Sequence, residues 1–337
     1  MSHTPPIRIA INGFGRIGRT LTRILWNDPR FEIVAINDFA PLETAVHLLR
    51  YDSIHGLFPA ETGLAESAFT IGGRTIAYST SPAIDSILWD HLAPELIVDA
   101  TGRHKTKEEL TQYIRRKDQK VILTAPPEDS SIPMVVLGVN DALLESSPAI
   151  VSNASCTTNN AAPMIKIIDA CCGIESCYIT TVHSYTGDQR LHDAPHRDLR
   201  RARAAAQSII PTTTGAAKAL TRVFPHLAES MGGCGMRVPV PDGSLTDITC
   251  TVRQPCLPEE LNAAFRSASE SSLKGILQYT EDPIVSVDVI GNSHSCVFDS
   301  ALTSVIGRMI KVVGWYDNEY GYSSRLRDLA LKMCGRS

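Results

Sequence analysis

The chain has 337 residues, 43% of them hydrophobic and 20% charged, and its formal net charge is −4. This composition is that of a globular protein whose length suits two domains, and the average charge excludes a strongly basic nucleic-acid-binding protein. The nine cysteines have irregular spacings and include no CxxC pair, which argues against a disulfide framework and against a metal site.

The amino-terminal segment "MSHTPPIRIAING" leads directly into a predicted strand. It contains no basic stretch followed by an apolar core, so we expect no signal peptide. No apolar run approaches the roughly 20 residues that a helix needs to span a bilayer. We therefore expect a cytoplasmic protein with no membrane partner, and nothing in the sequence requires a nucleic-acid partner.

The first recognisable unit is a strand, a glycine turn, a helix and a second strand. Ile7, Ile9 and Ile11 alternate as in a strand, and helical spacing of apolar residues begins near Arg16. The segment "FEIVAIND" then predicts a strand that ends at Asp38. Such a βαβ unit indicates a parallel sheet.

The rest of the first half continues this alternation. Further strands are predicted at "ELIVDATG", "KVILTAP", "MVVLGVN" and "AIVSNAS", with a charged helix at "KTKEELTQYIRRK". After residue 156 the pattern changes, because "CYITTVHSYT", "DITCTVRQ", "IVSVDVI" and "MIKVVGWYD" are rich in β-branched residues and favour a mixed or antiparallel sheet. The last segment, "SSRLRDLALKMCG", predicts a helix ended by glycine.

These patterns predict an α/β protein with two domains. Residues 1–155 should form a Rossmann-type, doubly wound parallel sheet, and residues 156–318 an α+β catalytic domain with a mixed or antiparallel sheet. The boundary near residue 155 rests on the change of pattern, since no linker or repeat marks it.

Three glycines form a dinucleotide-binding fingerprint. Gly13, Gly15 and Gly18 follow a predicted strand and precede a predicted helix, so a pyrophosphate could approach the backbone at the helix amino terminus. Asp38 ends the next strand, where a carboxylate accepts hydrogen bonds from both ribose hydroxyls of NAD and repels the 2′-phosphate of NADP. The sequence therefore predicts NAD as the cofactor.

Cys156 is the strongest candidate for a nucleophile. It should lie in the first turn of a helix, among Ser155, Thr157 and Thr158, where a buried structural cysteine would not be expected. The helix amino terminus should lower the pKa of its thiol. His183 ends a β-rich segment and could act as the base for this thiol.

Six segments resemble phosphorylating glyceraldehyde-3-phosphate dehydrogenases over essentially the whole chain: "INGFGRIGR", "SNASCTTN", "HSYTGDQ", "DLRRARAAAQSIIPTTTGAAKA", "RVPVPDGSLTD" and "WYDNEYGYSSR". The resemblance implies phosphorylating oxidation of glyceraldehyde 3-phosphate by NAD and inorganic phosphate to 1,3-bisphosphoglycerate, through a thiohemiacetal and a thioester on Cys156. It also implies that His183 is the base, that residues 319–337 return to the cofactor domain, and that the chain forms a homotetramer.

The same resemblance assigns further site residues. For the substrate phosphate it implies Thr186, Arg201 and Arg237, and for the attacking phosphate Ser155, Thr157, Thr214 and Gly215. For the cofactor it implies Asn12, Gly13, Gly15, Arg16, Ile17, Asp38, Thr124 and Asn318. Arg200 and Arg203 of the "DLRRARAAA" segment equally fit a solvated basic loop.

The chain departs from the family pattern at Asn160, where relatives commonly carry a second cysteine four residues after the nucleophile. Two other functions stay open. A sister enzyme, erythrose-4-phosphate dehydrogenase, lacks the phosphate-attack step, but the presence of Thr186, Thr214 and Gly215 favours the phosphorylating reaction. A non-catalytic binding protein on the same scaffold is disfavoured by the intact cysteine–histidine pair.

Overall fold

The computed structural model describes residues 5–336. Contacts between residues divide the chain into two compact units, described separately below. The first contains residues 1–135, 141–154 and 323–337, and the second contains residues 136–140 and 155–322.

The first unit has ten strands and three α-helices before its last helix. The strands are β1 (Ile7–Asn12), β2 (Phe31–Asn37), β3 (Tyr51–Asp52), β4 (Gly56–Leu57), β5 (Thr62–Ala65), β6 (Ala68–Ile71), β7 (Arg74–Ser79), β8 (Leu96–Asp99), β9 (Lys120–Leu123) and β10 (Ile150–Ser152). The helices are α1 (Arg16–Leu25), α2 (Leu42–Arg50) and α3 (Lys107–Thr111).

Eight of these strands form one sheet in the order β10-β9-β8-β1-β2-β7-β6-β5. The first six in that order run parallel, whereas β5 and β6 are antiparallel additions. Strand β1 is buried along most of its length, as expected for a central strand covered on both faces. The chain leaves β1 for β2 on one side and places β8 on the other, so the carboxyl end of β1 is a topological switch point, where open α/β sheets bind ligands.

The second unit is built on a mixed sheet. Its α-helices are α4 (Cys156–Cys172), α5 (Gly215–Val223) and α6 (Pro258–Glu270). Its strands are β11 (Ile174–Ser184), β12 (Ile210–Thr212), β13 (Met231–Val238), β14 (Ser244–Val252), β15 (Leu277–Thr280), β16 (Cys296–Ile306) and β17 (Met309–Tyr316). The last helix of the chain is α7 (Tyr320–Met333), most of which belongs to the first unit.

The seven strands of the second unit follow the order β12-β13-β11-β14-β17-β16-β15. Two pairs are parallel and the others antiparallel, so the predicted mixed sheet is confirmed, as is the α/β fold class. The parallel pair β11 and β13 has a register that places His183 beside Arg237. Helix α4 packs on β14 and β17, which fixes the helix that begins with Cys156 against this sheet.

Three predicted elements are wrong. The charged helix predicted over residues 105–117 is only the five-residue α3, where Thr106 and Glu109 form a capping box. The segment 134–140 pairs with the sheet only through a bridge between Met134 and Ser152 and then turns, because Asn140 Oδ1 accepts from the Val136 N–H at 2.7 Å and Gly138 has a φ of +80°. The segment 284–290 contains a short 3₁₀ helix, Ser286–Val289. Strands β3 to β7, β12, β13, β15 and β16 were not predicted.

Candidate active site

The glycine loop between β1 and α1 is shaped as the fingerprint requires. Gly13 has a φ of +95°, and a Cβ there would lie 2.6 Å from the Ala100 carbonyl carbon. A Cβ on Gly18 would lie 2.1 Å from the Gly13 carbonyl oxygen, so this glycine lets helix and strand approach. A Cβ on Gly15 would meet nothing within 4 Å. Gly15 therefore leaves free space at the helix amino terminus, where a pyrophosphate fits.

A cleft opens at the carboxyl ends of β1, β2 and β8, beside this loop. It is lined by Asn12, Gly13, Gly15, Asn37, Asp38, Phe39, Ser81, Pro82, Ala83, Ile84, Ala100, Thr101, Arg103 and His104. The Asp38 carboxylate accepts from the Phe14 N–H at 2.6 Å and from the Ala40 N–H at 2.9 Å, so it is tied to the loop and points along the cleft wall. The lining thus combines glycine backbone, one carboxylate, apolar side chains and several uncharged polar and basic side chains, which fits a dinucleotide.

A buried polar network supports the wall of this cleft. Asn12 Nδ2 donates to the Tyr113 hydroxyl, which donates to Asp99 Oδ2 at 2.7 Å. Asp99 also lies 2.7 Å from Nδ1 of His104, and this hydrogen bond raises the pKa of His104. Asp99 was not among the predicted site residues, although its place at the end of a predicted strand was a usable signal. The network fixes Asn12 from behind the glycine loop.

The other predicted cofactor residues of this unit have the following positions. Arg16 forms an ion pair with Asp52, with Nη1 2.6 Å from Oδ2, at the start of α1. Burial alone would raise the pKa of Asp52, but the hydrogen bonds from Arg16 and from two backbone N–H groups lower it to about 2. Ile17 is half-buried in the first turn of α1. Thr124 follows β9, and its N–H donates to the Asp99 carbonyl at 3.0 Å.

In the second unit, Cys156 is the first residue of α4, as the sequence predicts. Ser155 is the N-cap, and its hydroxyl oxygen accepts from the Thr158 N–H at 3.1 Å. Thr157 turns inward, and its hydroxyl lies 2.9 Å from that of Tyr316. The helix continues through Pro163 to Cys172, although a proline in the helix interior cannot donate the backbone hydrogen bond of its turn. Cys156 is therefore held at a capped helix amino terminus.

His183 lies beside the Cys156 thiol, with Nε2 3.5 Å from Sγ. Nδ1 lies 2.8 Å from the Ser184 carbonyl oxygen and 2.8 Å from Nη1 of Arg237. Because a guanidinium only donates, a hydrogen bond from Arg237 to Nδ1 excludes donation from Nδ1 to Ser184. In the tautomer whose Nδ1–H donates to the Ser184 carbonyl, the Nε2 lone pair faces the Cys156 sulfur. Nε2 of that tautomer can therefore accept the thiol proton.

The expected low pKa of the Cys156 thiol is wrong for this structure. Burial of the sulfur by the surrounding protein disfavours the thiolate and so raises the pKa of Cys156. The charge of Arg237 and a hydrogen bond from Thr157 lower this pKa, but by less than burial raises it. Burial, followed by the charge of Arg237, lowers the pKa of His183 to about 3. At neutral pH the pair is therefore a protonated thiol beside a neutral imidazole. The thiol proton must pass to Nε2 as the sulfur attacks.

Two arginines surround the pair with positive charge. Arg237 donates to the Ser184 carbonyl at 3.0 Å, and its pKa is lowered by burial and then by the charge of Arg201. Arg201 is bound to Asp188, with Nη1 2.6 Å from Oδ2, and its Nε donates to the Thr212 hydroxyl at 3.0 Å. Two positive charges this close repel each other, so the binding of an anion between or beside the two arginines is favoured.

The remaining predicted phosphate residues lie around these arginines and on α5. Thr214 is the N-cap of α5, and its hydroxyl oxygen accepts from the Ala216 N–H at 3.2 Å. A Cβ on Gly215 would meet nothing within 4 Å, so the first turn of α5 is open. Arg201 Nη2 reaches the Thr213 carbonyl at 3.4 Å, which joins this turn to the arginine. Thr186 lies three residues beyond His183, and its N–H donates to Gln189 Oε1 at 3.3 Å.

Asn318 has its orientation fixed by two serines. The hydroxyls of Ser184 and Ser244 each donate to Asn318 Oδ1 at 2.8 Å. Because Oδ1 accepts both bonds, the amide NH₂ must point away from them, where it can donate to a ligand. Ser184 and Ser244 were not predicted, although both lie inside the "HSYTGDQ" and "RVPVPDGSLTD" segments.

A pair of buried carboxyls adjoins Asn318 and yields a stability prediction. Burial, followed by the charge of Asp317, raises the pKa of Asp242 to about 9. A carboxyl with a raised folded-state pKa loses its stabilising contribution as pH rises towards that value. We therefore expect Asp242→Asn, which keeps the shape and a donor for Asp317, to unfold at a higher denaturant concentration than the wild type at pH 8. The advantage should exceed about 1 kcal/mol and shrink at pH 5.

Urea unfolding followed at several pH values between 5 and 9 measures this effect. Asp282→Asn, at an exposed carboxyl, is the matched control and should follow the wild type. Parallel pH dependences for the wild type and Asp242→Asn would show that Asp242 is ionised in the folded protein.

The structure thus gathers the predicted residues into two sets, one in each unit. Asn12, Gly13, Gly15 and Asp38 line the cleft of the first unit. Cys156, His183 and Arg237 form a continuous chain of contacts in the second unit, and Arg201 acts electrostatically on both His183 and Arg237. Tyr316 and Asp188, which bind Thr157 and Arg201, were not predicted, although they lie inside the "WYDNEYGYSSR" and "HSYTGDQ" segments.

Comparison with known proteins gives one consistent result. The family model described as glyceraldehyde 3-phosphate dehydrogenase, NAD binding domain, matches residues 7–107. The model described as glyceraldehyde 3-phosphate dehydrogenase, C-terminal domain, matches residues 155–318.

Individual relatives are similar over nearly the full length. Identity is 48% over 328 residues with glyceraldehyde-3-phosphate dehydrogenase 2 of Streptomyces avermitilis, covering 96% of this chain and 98% of the relative. It is 44% over 326 residues with the glyceraldehyde-3-phosphate dehydrogenase of Geobacillus stearothermophilus, covering 96% and 97%. It is 46% over 332 residues with that of Thermotoga maritima, covering 97% and 99%.

Proposed function

The chain belongs to the glyceraldehyde-3-phosphate dehydrogenase family, and from this premise we propose the reaction of this protein and the residues that carry it. The reaction is oxidation of glyceraldehyde 3-phosphate with NAD and inorganic phosphate to 1,3-bisphosphoglycerate, a step of glycolysis. The observation that carries the proposal is the contact of 3.5 Å between Cys156 Sγ and His183 Nε2, beside two arginines.

The first chemical step is attack of the Cys156 sulfur on the aldehyde carbon. The thiol proton leaves to His183 Nε2 as the carbon–sulfur bond forms, because neither group is charged at neutral pH. His183 returns this proton to the resulting oxygen, which becomes the hydroxyl of a thiohemiacetal, so the imidazole is neutral again. His183 then removes that hydroxyl proton as the aldehyde carbon is oxidised, which leaves a thioester on Cys156. Because Nε2 accepts a proton in both steps, a neutral imidazole suits this site.

The second half of the reaction is attack of phosphate on the thioester. Arg201 and Arg237 attract the phosphate group of the substrate, since a guanidinium fork matches phosphate oxygens. The capped amino terminus of α5, at Thr214 and Gly215, offers backbone N–H groups to an anion. We assign Ser155, Thr157, Thr214 and Gly215 to the attacking phosphate, and Thr186, Arg201 and Arg237 to the substrate phosphate.

NAD supplies the hydride acceptor when bound. Gly13 and Gly15 would hold its pyrophosphate, Asp38 its ribose, and Asn318 its carboxamide through an NH₂ that the two serines leave free. We assign supporting contacts with the cofactor to Asn12, Arg16, Ile17 and Thr124.

Asp38 should set the preference for NAD over NADP. Asp38→Ser removes a negative charge from the cleft and is expected to lower the ratio of kcat/KM for NAD to that for NADP by roughly tenfold or more, because the 2′-phosphate is no longer repelled. Initial rates with both cofactors measure the ratio. Asp38→Glu keeps the charge and is the control. An unchanged ratio in Asp38→Ser would exclude Asp38 as the discriminating residue.

The phosphate dependence of NADH formation tests the proposed function. With glyceraldehyde 3-phosphate, we expect one rapid turnover without phosphate and continuous turnover when phosphate is added, since the thioester then has its acceptor. Erythrose 4-phosphate should be a poor substrate under both conditions. Rapid, phosphate-independent turnover of erythrose 4-phosphate, with little oxidation of glyceraldehyde 3-phosphate, would instead establish erythrose-4-phosphate dehydrogenase activity.

We also assign the domains, the assembly and the location. Residues 1–155 with 319–337 form the cofactor domain and residues 156–318 the catalytic domain, which is supported by the two compact units. We assign the chain to the cytoplasm and to a homotetramer. Association of chains is supported by exposed apolar side chains, notably Leu191 and Leu199 on the loop after β11, and Tyr178 on the sheet. Across residues 5–336, no helix has the length and apolar character needed to cross a membrane. Sedimentation at four times the 36.6 kDa chain mass would support the tetramer.

A further inference from the structure

Five of the nine cysteines lie near the carboxyl end of α4, away from Cys156. They are Cys171, Cys172, Cys177, Cys250 and Cys256, and all nine cysteines are free thiols. Cys172 is the last residue of α4, and Cys156 is the first. At 1.5 Å per residue, the helix separates the two by about 24 Å. The reaction proposed above uses none of these five thiols.

Backbone hydrogen bonds hold Cys172 next to the segment that carries Cys256. The Gln254 N–H donates to the Cys172 carbonyl at 3.0 Å, and the Arg253 N–H donates to the Gly173 carbonyl at 2.7 Å. Gly173 ends the helix with a φ of +64°, which directs the chain into β11. Cys256 follows Gln254 by two residues. The end of α4 and the start of the loop before α6 therefore form one fixed structure.

The side chains of Cys172 and Cys256 interact with each other, beside the backbone hydrogen bond that joins Gln254 to Cys172. Cys172 is buried and Cys256 is partly exposed. Burial, followed by the interaction with Cys256, raises the pKa of Cys172 to about 12, so Cys172 stays protonated at neutral pH. Cys171 and Cys250 also interact electrostatically with Cys256, but Cys171 is exposed and Cys250 is enclosed in the sheet.

We propose that Cys256 and Cys172 form a reversible disulfide, with Cys256 as the thiol that reacts with a hydroperoxide and Cys172 as the thiol that resolves it. The Cys256 sulfur attacks the peroxide, the O–O bond breaks, and Cys256 becomes a sulfenic acid while the peroxide is reduced to an alcohol or to water. The Cys172 sulfur then displaces hydroxide from the sulfenic acid. This hydroxide takes the Cys172 proton and leaves as water. Two thiols are oxidised and one peroxide is reduced.

Contact and accessibility select this pair among the five thiols. Cys256 can be reached from solvent, and Cys172 is a buried thiol whose side chain interacts with it and whose backbone is bonded to the same segment. The alternative partner Cys177 faces Cys250 across β11 and β14, and both are buried. The site is also independent of the catalytic thiol. Asn160, one turn beyond Cys156, donates to the Trp315 carbonyl at 3.2 Å, so Cys156 has no thiol neighbour there.

Peptide mapping of oxidised protein tests the proposal, with Cys156→Ser as the background so that the catalytic thiol does not react. The protein is treated with hydrogen peroxide, alkylated and digested with trypsin without reduction. Cleavage after Arg253 and Arg266 releases Cys256 alone, and cleavage after Lys166 and Arg190 releases Cys171, Cys172 and Cys177 together. We expect these two peptides to be joined, two hydrogens lighter than their sum, and to separate with dithiothreitol.

Variants identify the partner. Cys171→Ser and Cys177→Ser should retain the cross-linked peptide, and Cys172→Ala should lose it while Cys256 accumulates as sulfinic acid. Loss of the cross-link in Cys171→Ser, or a cross-link from Cys256 to the peptide that contains Cys250, would overturn the assignment. The assignment would also be overturned if, in the Cys156→Ser protein with no other substitution, Cys256 became sulfinic acid while Cys172 was still alkylated. This result does not depend on the folding of any cysteine variant near α4.

Discussion

Replacing Cys156 with serine is expected to lower kcat/KM for glyceraldehyde 3-phosphate by roughly 10⁴-fold or more. A serine hydroxyl is a much weaker acid than a thiol, and burial lowers the pKa of His183 to about 3, so this imidazole is too weak a base to activate it. Serine also yields an ester, which phosphate cleaves more slowly than a thioester. Initial rates of NADH formation measure the loss.

Two controls separate this effect from damage to the fold. Cys234→Ser changes a half-exposed thiol on β13 and should retain the wild-type rate. Cys156→Ser should still bind NAD with an affinity within a few-fold of the wild type, since the cofactor cleft belongs to the other unit. Turnover of Cys156→Ser at the rate of Cys234→Ser would exclude Cys156 as the nucleophile.

Replacing His183 with asparagine is expected to lower kcat by about 10²- to 10⁴-fold, the range of general acid–base catalysis. The substitution removes the imidazole that lies in hydrogen-bond contact with the Cys156 sulfur. The thiol proton must then pass to solvent. Because burial raises the pKa of the Cys156 thiol, the thiolate is scarce at neutral pH and increases about tenfold per pH unit.

The pH dependence distinguishes this role from a merely structural one. In His183→Asn, the first-turnover rate should rise steeply between pH 7 and 9, whereas the wild-type rate should vary less, since His183 is neutral and able to accept a proton across that range. Ser184→Ala, a substitution next to His183, should retain the wild-type pH profile and affect chiefly the KM for NAD through Asn318. Identical pH profiles for His183→Asn and the wild type would contradict the assignment of His183 as base.

Local patterns predict the elements that present the site. Alternating isoleucines, a glycine triplet and helical spacing after Arg16 are signals within a few residues, and β1, the glycine loop and α1 follow them. The same holds for Cys156, whose serine N-cap and apolar helix stripe are adjacent in the chain. These features depend on neighbours in sequence and therefore need no knowledge of the tertiary structure.

One failure has a local cause. The segment 134–140 has the composition of a strand, but the Asn140 side chain takes the Val136 N–H that a longer strand pairing would use. The failures at the site have a non-local cause. The pKa of Cys156 was predicted from the helix terminus alone, and desolvation by the surrounding protein outweighs it. The contact of Arg237 with His183 depends on the parallel register of β13 with β11, which are 54 residues apart at this point. Such effects require the three-dimensional packing.

The central claim is that the Cys156 sulfur carries the acyl group. The most direct measurement mixes the protein with glyceraldehyde 3-phosphate and NAD in phosphate-free buffer, stops the reaction with acid and maps the peptides by mass. The account predicts one 3-phosphoglyceroyl group on Cys156, with one NADH formed per acylated site, and loss of the group when phosphate is added before the acid. A stoichiometric burst of NADH with Cys156 unmodified, or with the acyl group on another cysteine, would contradict it.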